Sequence, residues 1–211
     1  LKAYIGGLVQ KFGCLTGSQE ACIRELAKEM NRGKGMRALL QGDVSSGKTV
    51  IAIATALLVV ESGRQVAIMA PTAVLARQHY MEMSAALGPL GIRCELLQGG
   101  PAGAEKRAML AELEAGQIQI IVGTHALIEP AVRFHHLGLA ITDEQHKFGV
   151  RQRDRLLAKG QAPHSLEMSA TPIPRSLALT AYGDRHTVIN GDRPGNRQPV
   201  TTIHAQSDAE A

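Results

Sequence analysis

Short apolar runs alternate with longer stretches of helical periodicity along this chain of 211 residues. MRALLQ (36–41), QVAIMA (65–70), RCELLQ (93–98), IQIIV (118–122) and LGLAIT (137–142) predict strands, and a shorter strand is expected around Leu166–Ser169. Helices are predicted from about Gln19 to Asn31, over the buried run Val50–Val60, from about Thr72 to Leu87 and over roughly Ala104–Ala115. Further helical segments are expected near Arg151–Lys159 and Arg175–Tyr182. Thr16 and Gln19 have the spacing of a capping box before the first helix, and the Gly33–Gly35 turn ends it. Alternation of this kind is the signature of a parallel sheet wrapped by helices. The expected fold class is therefore α/β: a doubly wound, mainly parallel sheet with helices on both faces. One domain over residues 1–190 accounts for the pattern, and the Gly-, Pro- and Arg-rich GDRPGNRQP marks 191–211 as a linker.

The first of these strands runs into QGDVSSGKTV (41–50), which fits the pattern GxxxxGK[ST] with Gly42, Gly47, Lys48 and Thr49 in the required places. Glycines permit backbone conformations and close approaches that a side chain would obstruct. The backbone N–H groups of Asp43, Val44, Ser45 and Ser46 and of the following helix start can then cradle phosphate oxygens. Lys48 would reach the β- and γ-phosphates, and the Thr49 hydroxyl would ligate Mg²⁺. A nucleoside triphosphate site over Gly42–Thr49 is the expectation.

Such a loop needs an acidic site at the end of another strand. LGLAITDEQHKFGV offers an apolar strand ending in Asp143–Glu144. Adjacent carboxylates there are costly to bury unless a cation compensates them. Asp143 is the candidate Mg²⁺ ligand, and Glu144 the candidate that orients or deprotonates the attacking water. A GTPase would carry an NKxD guanine reader and a transport ATPase an LSGGQ signature, and the sequence has neither. A small-molecule kinase fits the loop alone but leaves the later motifs unexplained.

Composition adds little to this. A net charge of +4 and an isoelectric point near 9.1 permit a polyanionic partner without requiring one. Cys14, Cys22 and Cys94 are odd in number and lack CxxC spacing, so they read as reduced cytosolic thiols rather than disulfides or zinc ligands. His135–His136 reads as loop surface. The longest apolar run, Val50–Val60, is too short to span a bilayer, so no membrane association is expected. A Leu at position 1 and the unpatterned SDAEA at the end read as a piece of a longer protein.

GDVSSGKT, APTAVLARQH, VGTHALI, DEQHKFGV and SATPIPRSLALTAYGD occur in that order and at domain-like spacing. Together they resemble superfamily 2 DNA helicases, most closely the RecG family of ATP-dependent branched-DNA helicases, over roughly Leu15–Thr202. The resemblance implies a RecA-like first motor domain that uses ATP and Mg²⁺ to move on branched or double-stranded DNA in recombination and repair. It further implies a second RecA-like domain and a wedge domain elsewhere in the parent chain, and a cytoplasmic, nucleoid-associated bacterial protein. By the same resemblance Pro71, Thr72, Thr124 and His125 would contact DNA phosphates, with Thr72 equally readable as a helix cap. Gln145, His146, Ser169 and Thr171 would relay nucleotide state to the DNA surface, although a partly buried histidine is the plain reading of His146. Gln19 would read adenine as well as cap its helix. Ser45 and Ala73 stand where this family usually has Gly and Glu, Ser169 where it has Thr, and Thr142 where an apolar residue is expected. A transcription-repair coupling translocase carries similar motifs, with a different wording at DEQH. A nucleotide-binding domain without motor activity is the alternative from another class.

Overall fold

The computed structural model describes residues 15–100, 103–144, 147–170 and 185–191. The helix expected over Arg175–Tyr182, Cys14, Gln145, His146, Thr171 and all of the linker but Gly191 lie outside them. The chain runs α1 (Gly17–Met30), β1 (Arg37–Gly42), α2 (Lys48–Glu61), β2 (Gln65–Met69), α3 (Ala73–Leu87), β3 (Cys94–Leu97) and α4 (Ala104–Glu114). It continues through β4 (Ile120–Gly123), β5 (Leu137–Thr142), α5 (Val150–Leu157), β6 (His164–Ser169) and β7 (His186–Asn190). The seven strands lie in the order β3-β4-β2-β5-β6-β1-β7, and every neighbouring pair is parallel.

Two apolar layers sandwich that sheet. Val66 and Ile68 of β2 face one way with Ile23 and Leu26 of α1, Ile51 and Leu57 of α2, and Met83 and Leu87 of α3. Ala67 and Met69 face the other way with Leu113 of α4, Leu156 of α5 and the 3₁₀ turn His125–Ile128. Successive strand side chains point to opposite faces, so a strand covered on both sides reads as one apolar run, as β2 does. Cys22 and Cys94 are both buried, and desolvation pushes the Cys94 thiol up to about 12.

The six strands expected from the sequence are present, with ends shifted by up to a few residues. β7 was not expected. HTVIN is a short edge strand whose Ile189 is exposed while Val188 is buried, so it lacks the uniform apolar run of its neighbours. It pairs with β1 from Ala38↔His186 to Gly42↔Asn190.

Candidate functional site

Parallel strands place all their carboxyl ends on one edge of the sheet. Gly42 ends β1, and its neighbours Ser169 of β6 (paired with Gln41) and Asn190 of β7 flank it. Asp143–Glu144 follows β5, which is separated from β1 only by β6. On the other half of the edge, Met69 of β2 pairs with both Thr142 and Gly123, so Pro71–Thr72 and Thr124–His125 leave adjacent strands.

The loop between β1 and α2 is held from several directions. Lys48 Nζ donates to the carbonyl oxygens of Gly42 at 2.8 Å and Asp43 at 2.9 Å. Burial lowers the Lys48 ammonium below its ordinary value, against the raising effect of Asp143, Glu144 and Asp43. The cation and both candidate carboxylates therefore share one electrostatic neighbourhood. The carbonyl of Ser46 accepts from Gln19 Nε2 at 3.2 Å and from Asn190 Nδ2 at 2.7 Å. In a planar trans peptide the C=O and the next N–H point in opposite directions. Two donors on the Ser46 oxygen thus turn the Gly47 N–H away from α1 and β7. A side chain at Gly42 would crowd Ser46 Oγ and Asn190, and one at Gly47 would displace the Gln19 amide and sit at φ +86°, a conformation that favours glycine.

The capping box is formed as expected: Gln19 N donates to Thr16 Oγ1 at 3.2 Å and Thr16 N to Gln19 Oε1 at 3.1 Å. Its Nε2 also reaches the phosphate loop, a use beyond the cap. Ser45 adopts φ +65° and Glu144 φ +49°. Among the described residues only one other non-glycine, Ala162, has a positive φ, so this conformation concentrates at the candidate site. The left-handed backbone at Ser45 also explains why a glycine suits that position.

Asp143 is anchored at both oxygens. Oδ1 accepts from Glu144 N at 2.9 Å, and Oδ2 lies 2.7 Å from His79 Nε2. A carboxylate has about four lone-pair sites, so two bonds leave further acceptor positions. With the Thr49 hydroxyl at the start of α2, these are the hard oxygen donors that Mg²⁺ prefers, and the donor set fits that ion. Among the described residues no group of three or more His, Cys, Asp or Glu could hold a metal alone.

Thr72 is exposed and caps α3, its Oγ1 accepting from Leu75 N at 3.3 Å, so the capping reading is realised. Together with Pro71, Thr124 and His125 it lines an open cleft of about 640 Å³. Ser169 is buried at the end of β6, and Thr142 is buried at the end of β5. Two residues went unnoticed in the sequence. His79 sits on the buried face of α3 with Ala76, Met83 and Ala86, where the only signal is a histidine at apolar helical spacing. Asn190 depends on a strand that the pattern did not reveal.

A strand, phosphate loop and helix, with a carboxylate pair two strands away on an all-parallel sheet, define a RecA-like nucleotide-binding domain. Residues 16–180 match the DEAD/DEAH box helicase family, and the chain belongs to that family. It is 47% identical over 199 residues to the ATP-dependent DNA helicase RecG of Aquifex aeolicus, covering 93% of this chain and 25% of that protein. Against RecG of Escherichia coli K12 it is 46% identical over 192 residues, covering 89% and 28%. The solved structure of RecG bound to a three-way DNA junction superposes with a TM-score of 0.79 at 42% identity, over 92% of this chain and 27% of that one. The helicase domain of Pyrococcus furiosus Hef, at 22% identity and a TM-score of 0.63 over 82% and 37%, shares the fold. The chain spans about a quarter of the length of the RecG proteins it matches. No helix among the described residues is long and apolar enough to cross a membrane.

Proposed function

We propose that this chain is the ATP-binding first motor domain of a helicase or translocase that acts on branched or double-stranded DNA in recombination and repair. The observation that carries the reading is the common edge: the phosphate loop and Asp143–Glu144 on one half, the Pro71–Thr72 and Thr124–His125 cleft on the other, joined through the pairing of Met69 with Thr142 and Gly123. High identity to RecG proteins supports the choice of branched DNA.

In this reading the amides of Gly42–Thr49 and the Lys48 ammonium hold the phosphates. Mg²⁺, when bound by Thr49 and Asp143, would neutralise charge on them. Glu144 takes a proton from water as the water oxygen bonds to the γ-phosphorus and the bond to the bridging oxygen of ADP breaks. Gln19 contacts adenine. Pro71, Thr72, Thr124 and His125 contact DNA phosphates, which position the protein without reading sequence. Gln145, His146, Ser169 and Thr171 relay nucleotide state. Residues 1–190 form the domain, and 191–211 lead to a second RecA-like domain that completes the ATP site, with a wedge domain elsewhere in the parent protein. The setting is the bacterial cytoplasm, at the nucleoid.

The test is conversion of model forks and four-way junctions by the full-length protein with ATP, run beside displacement of a stalled RNA polymerase. Junction conversion that is indifferent to base order and weakens with salt supports the reading. Polymerase displacement without junction processing reassigns the chain to a coupling translocase, and failure of both with ATP still bound leaves a non-motor domain.

A further inference from the structure

His79 and Asp143 are far apart in sequence, yet His79 Nε2 lies 2.7 Å from Asp143 Oδ2. Both are shielded, with side chains 8% and 13% exposed. An ionised carboxylate only accepts, so Nε2 carries the proton it donates. Asp143 Oδ1 is meanwhile taken by the Glu144 N–H. The carboxylate is thus gripped on one oxygen by its own chain neighbour and on the other by a helix that follows a different strand.

We propose that His79 is a positioning residue that sets the orientation of Asp143 and joins it mechanically to α3, an inference that rests on the reading of Asp143 as the Mg²⁺ ligand. A free carboxylate rotates about its last torsion, and only some orientations aim a lone pair toward the phosphate loop. Hydrogen-bond partners behind a metal-ligating carboxylate restrict that rotation, and losing one typically costs 10–100-fold in metal affinity. His79 serves this purpose well because its helix is packed as one rigid body. Ala76, Met83, Ala86 and Leu87 of the same face are packed in the core. About two turns before His79, the same helix begins at Thr72, on the wall of the cleft that also holds Thr124 and His125. A phosphate seated at the start of α3 therefore acts on the body that carries His79, and through it on Asp143.

The experiment measures binding of a fluorescent ADP analogue (mant-ADP) by the full-length protein as Mg²⁺ is titrated, with and without a model fork. His79→Leu keeps bulk and removes the donor. His79→Gln places an amide N–H near the Nε2 position, and His79→Asn places one too short to reach. His79→Leu and His79→Asn are expected to raise the half-saturating Mg²⁺ concentration about tenfold or more, and His79→Gln by less than about threefold. Binding in excess chelator should be equal in all. The fork should shift the Mg²⁺ midpoint of the wild type and lose that effect in His79→Leu. Asp143→Asn is the reference: if it leaves the Mg²⁺ dependence unchanged, the ligand reading itself fails and takes the proposal with it. If Asp143→Asn shifts the midpoint and the His79 variants do not, the ligand reading stands and the role of His79 is overturned. Lower melting temperatures with unmoved Mg²⁺ midpoints show a merely structural histidine and likewise overturn it. A fork effect equal in wild type and His79→Leu overturns the route through α3. Should His79→Leu fail to fold, equal midpoints in the Gln and Asn variants overturn the proposal.

Discussion

Lys48 Nζ donates to the Gly42 carbonyl at 2.8 Å, so the ammonium that the loop pattern assigns to a phosphate is here held by the loop's own backbone. The contact closes a ring between the end of β1 and the first residue of α2. With the bond to the Asp43 carbonyl, two of the three ammonium donors are used in this way, which leaves one for a phosphate oxygen.

Lys48→Ala tests that role directly. A ligand that binds only the folded state at a hundredfold excess over its dissociation constant adds about 2.7 kcal/mol to apparent stability. MgATP should raise the melting temperature of the wild type and leave that of Lys48→Ala almost unmoved. Equal shifts would remove Lys48 from the site.

Glu144→Gln keeps the size and hydrogen-bonding capacity of the side chain while removing its basicity. Nucleotide binding should persist, and DNA-stimulated ATP turnover by the full-length protein should fall by about 10²–10⁴-fold, the usual contribution of a general base. Unchanged turnover would show that another group takes the proton.

Ser45→Gly exchanges a strained serine at φ +65° for the residue best suited to that conformation. The left-handed backbone costs a non-glycine residue about 1–2 kcal/mol, while glycine adds about 0.4–1 kcal/mol of unfolded-chain entropy. The expected result is a gain of up to about 1 kcal/mol in urea unfolding with nucleotide binding retained. Marked destabilisation would mean that the serine hydroxyl matters more than the backbone.

Gln65, 4% exposed, donates through Nε2 to the carbonyls of Leu113 and Ile118, both at 2.8 Å, and accepts through Oε1 from His136 N at 3.0 Å. Gln65→Leu leaves those three backbone groups without their partner, at about 1–3 kcal/mol for each that stays buried and unsatisfied. A loss of at least about 2 kcal/mol is expected from denaturant titration, and a loss below about 0.5 kcal/mol would contradict the bonding.

His164 governs a pH dependence. Burial, aided by Arg64, lowers its pKa below the ordinary 6.5, and its Nδ1 accepts from Met36 N at 3.0 Å. With the folded pKa depressed, the unfolded chain takes up the proton first. The contribution is complete above about pH 6.5 and drains as the pH falls toward the folded value. His164→Asn retains an acceptor but does not titrate, so its stability relative to wild type should improve between pH 7.5 and pH 5.5. A constant difference would show that His164 is not responsible.

By itself the sequence determined the local pieces. Uniform apolar runs specify strands buried on both faces, Thr16 and Gln19 specify a cap, and GDVSSGKT and ITDE each concentrate their chemistry in a few consecutive residues, where spacing is enough to reveal it. It even flagged Ser45 as unusual, although the reason, a left-handed backbone, appears only in the fold. Tertiary structure decided whatever depends on residues far apart in the chain. β7 exists because β1 offers an open edge for HTVIN to pair with, a partner absent from HTVIN's own pattern. Asn190 and Gln19 meet on one carbonyl because α1 begins and β7 ends beside the phosphate loop. His79 looks like one more buried position of α3 until parallel pairing of β2 with β5 sets Asp143 beside it. Periodicity reports which face of an element is buried, because burial repeats with the geometry of the element. Which polar groups meet is set by the order of strands in the sheet, and that order has no period along the chain.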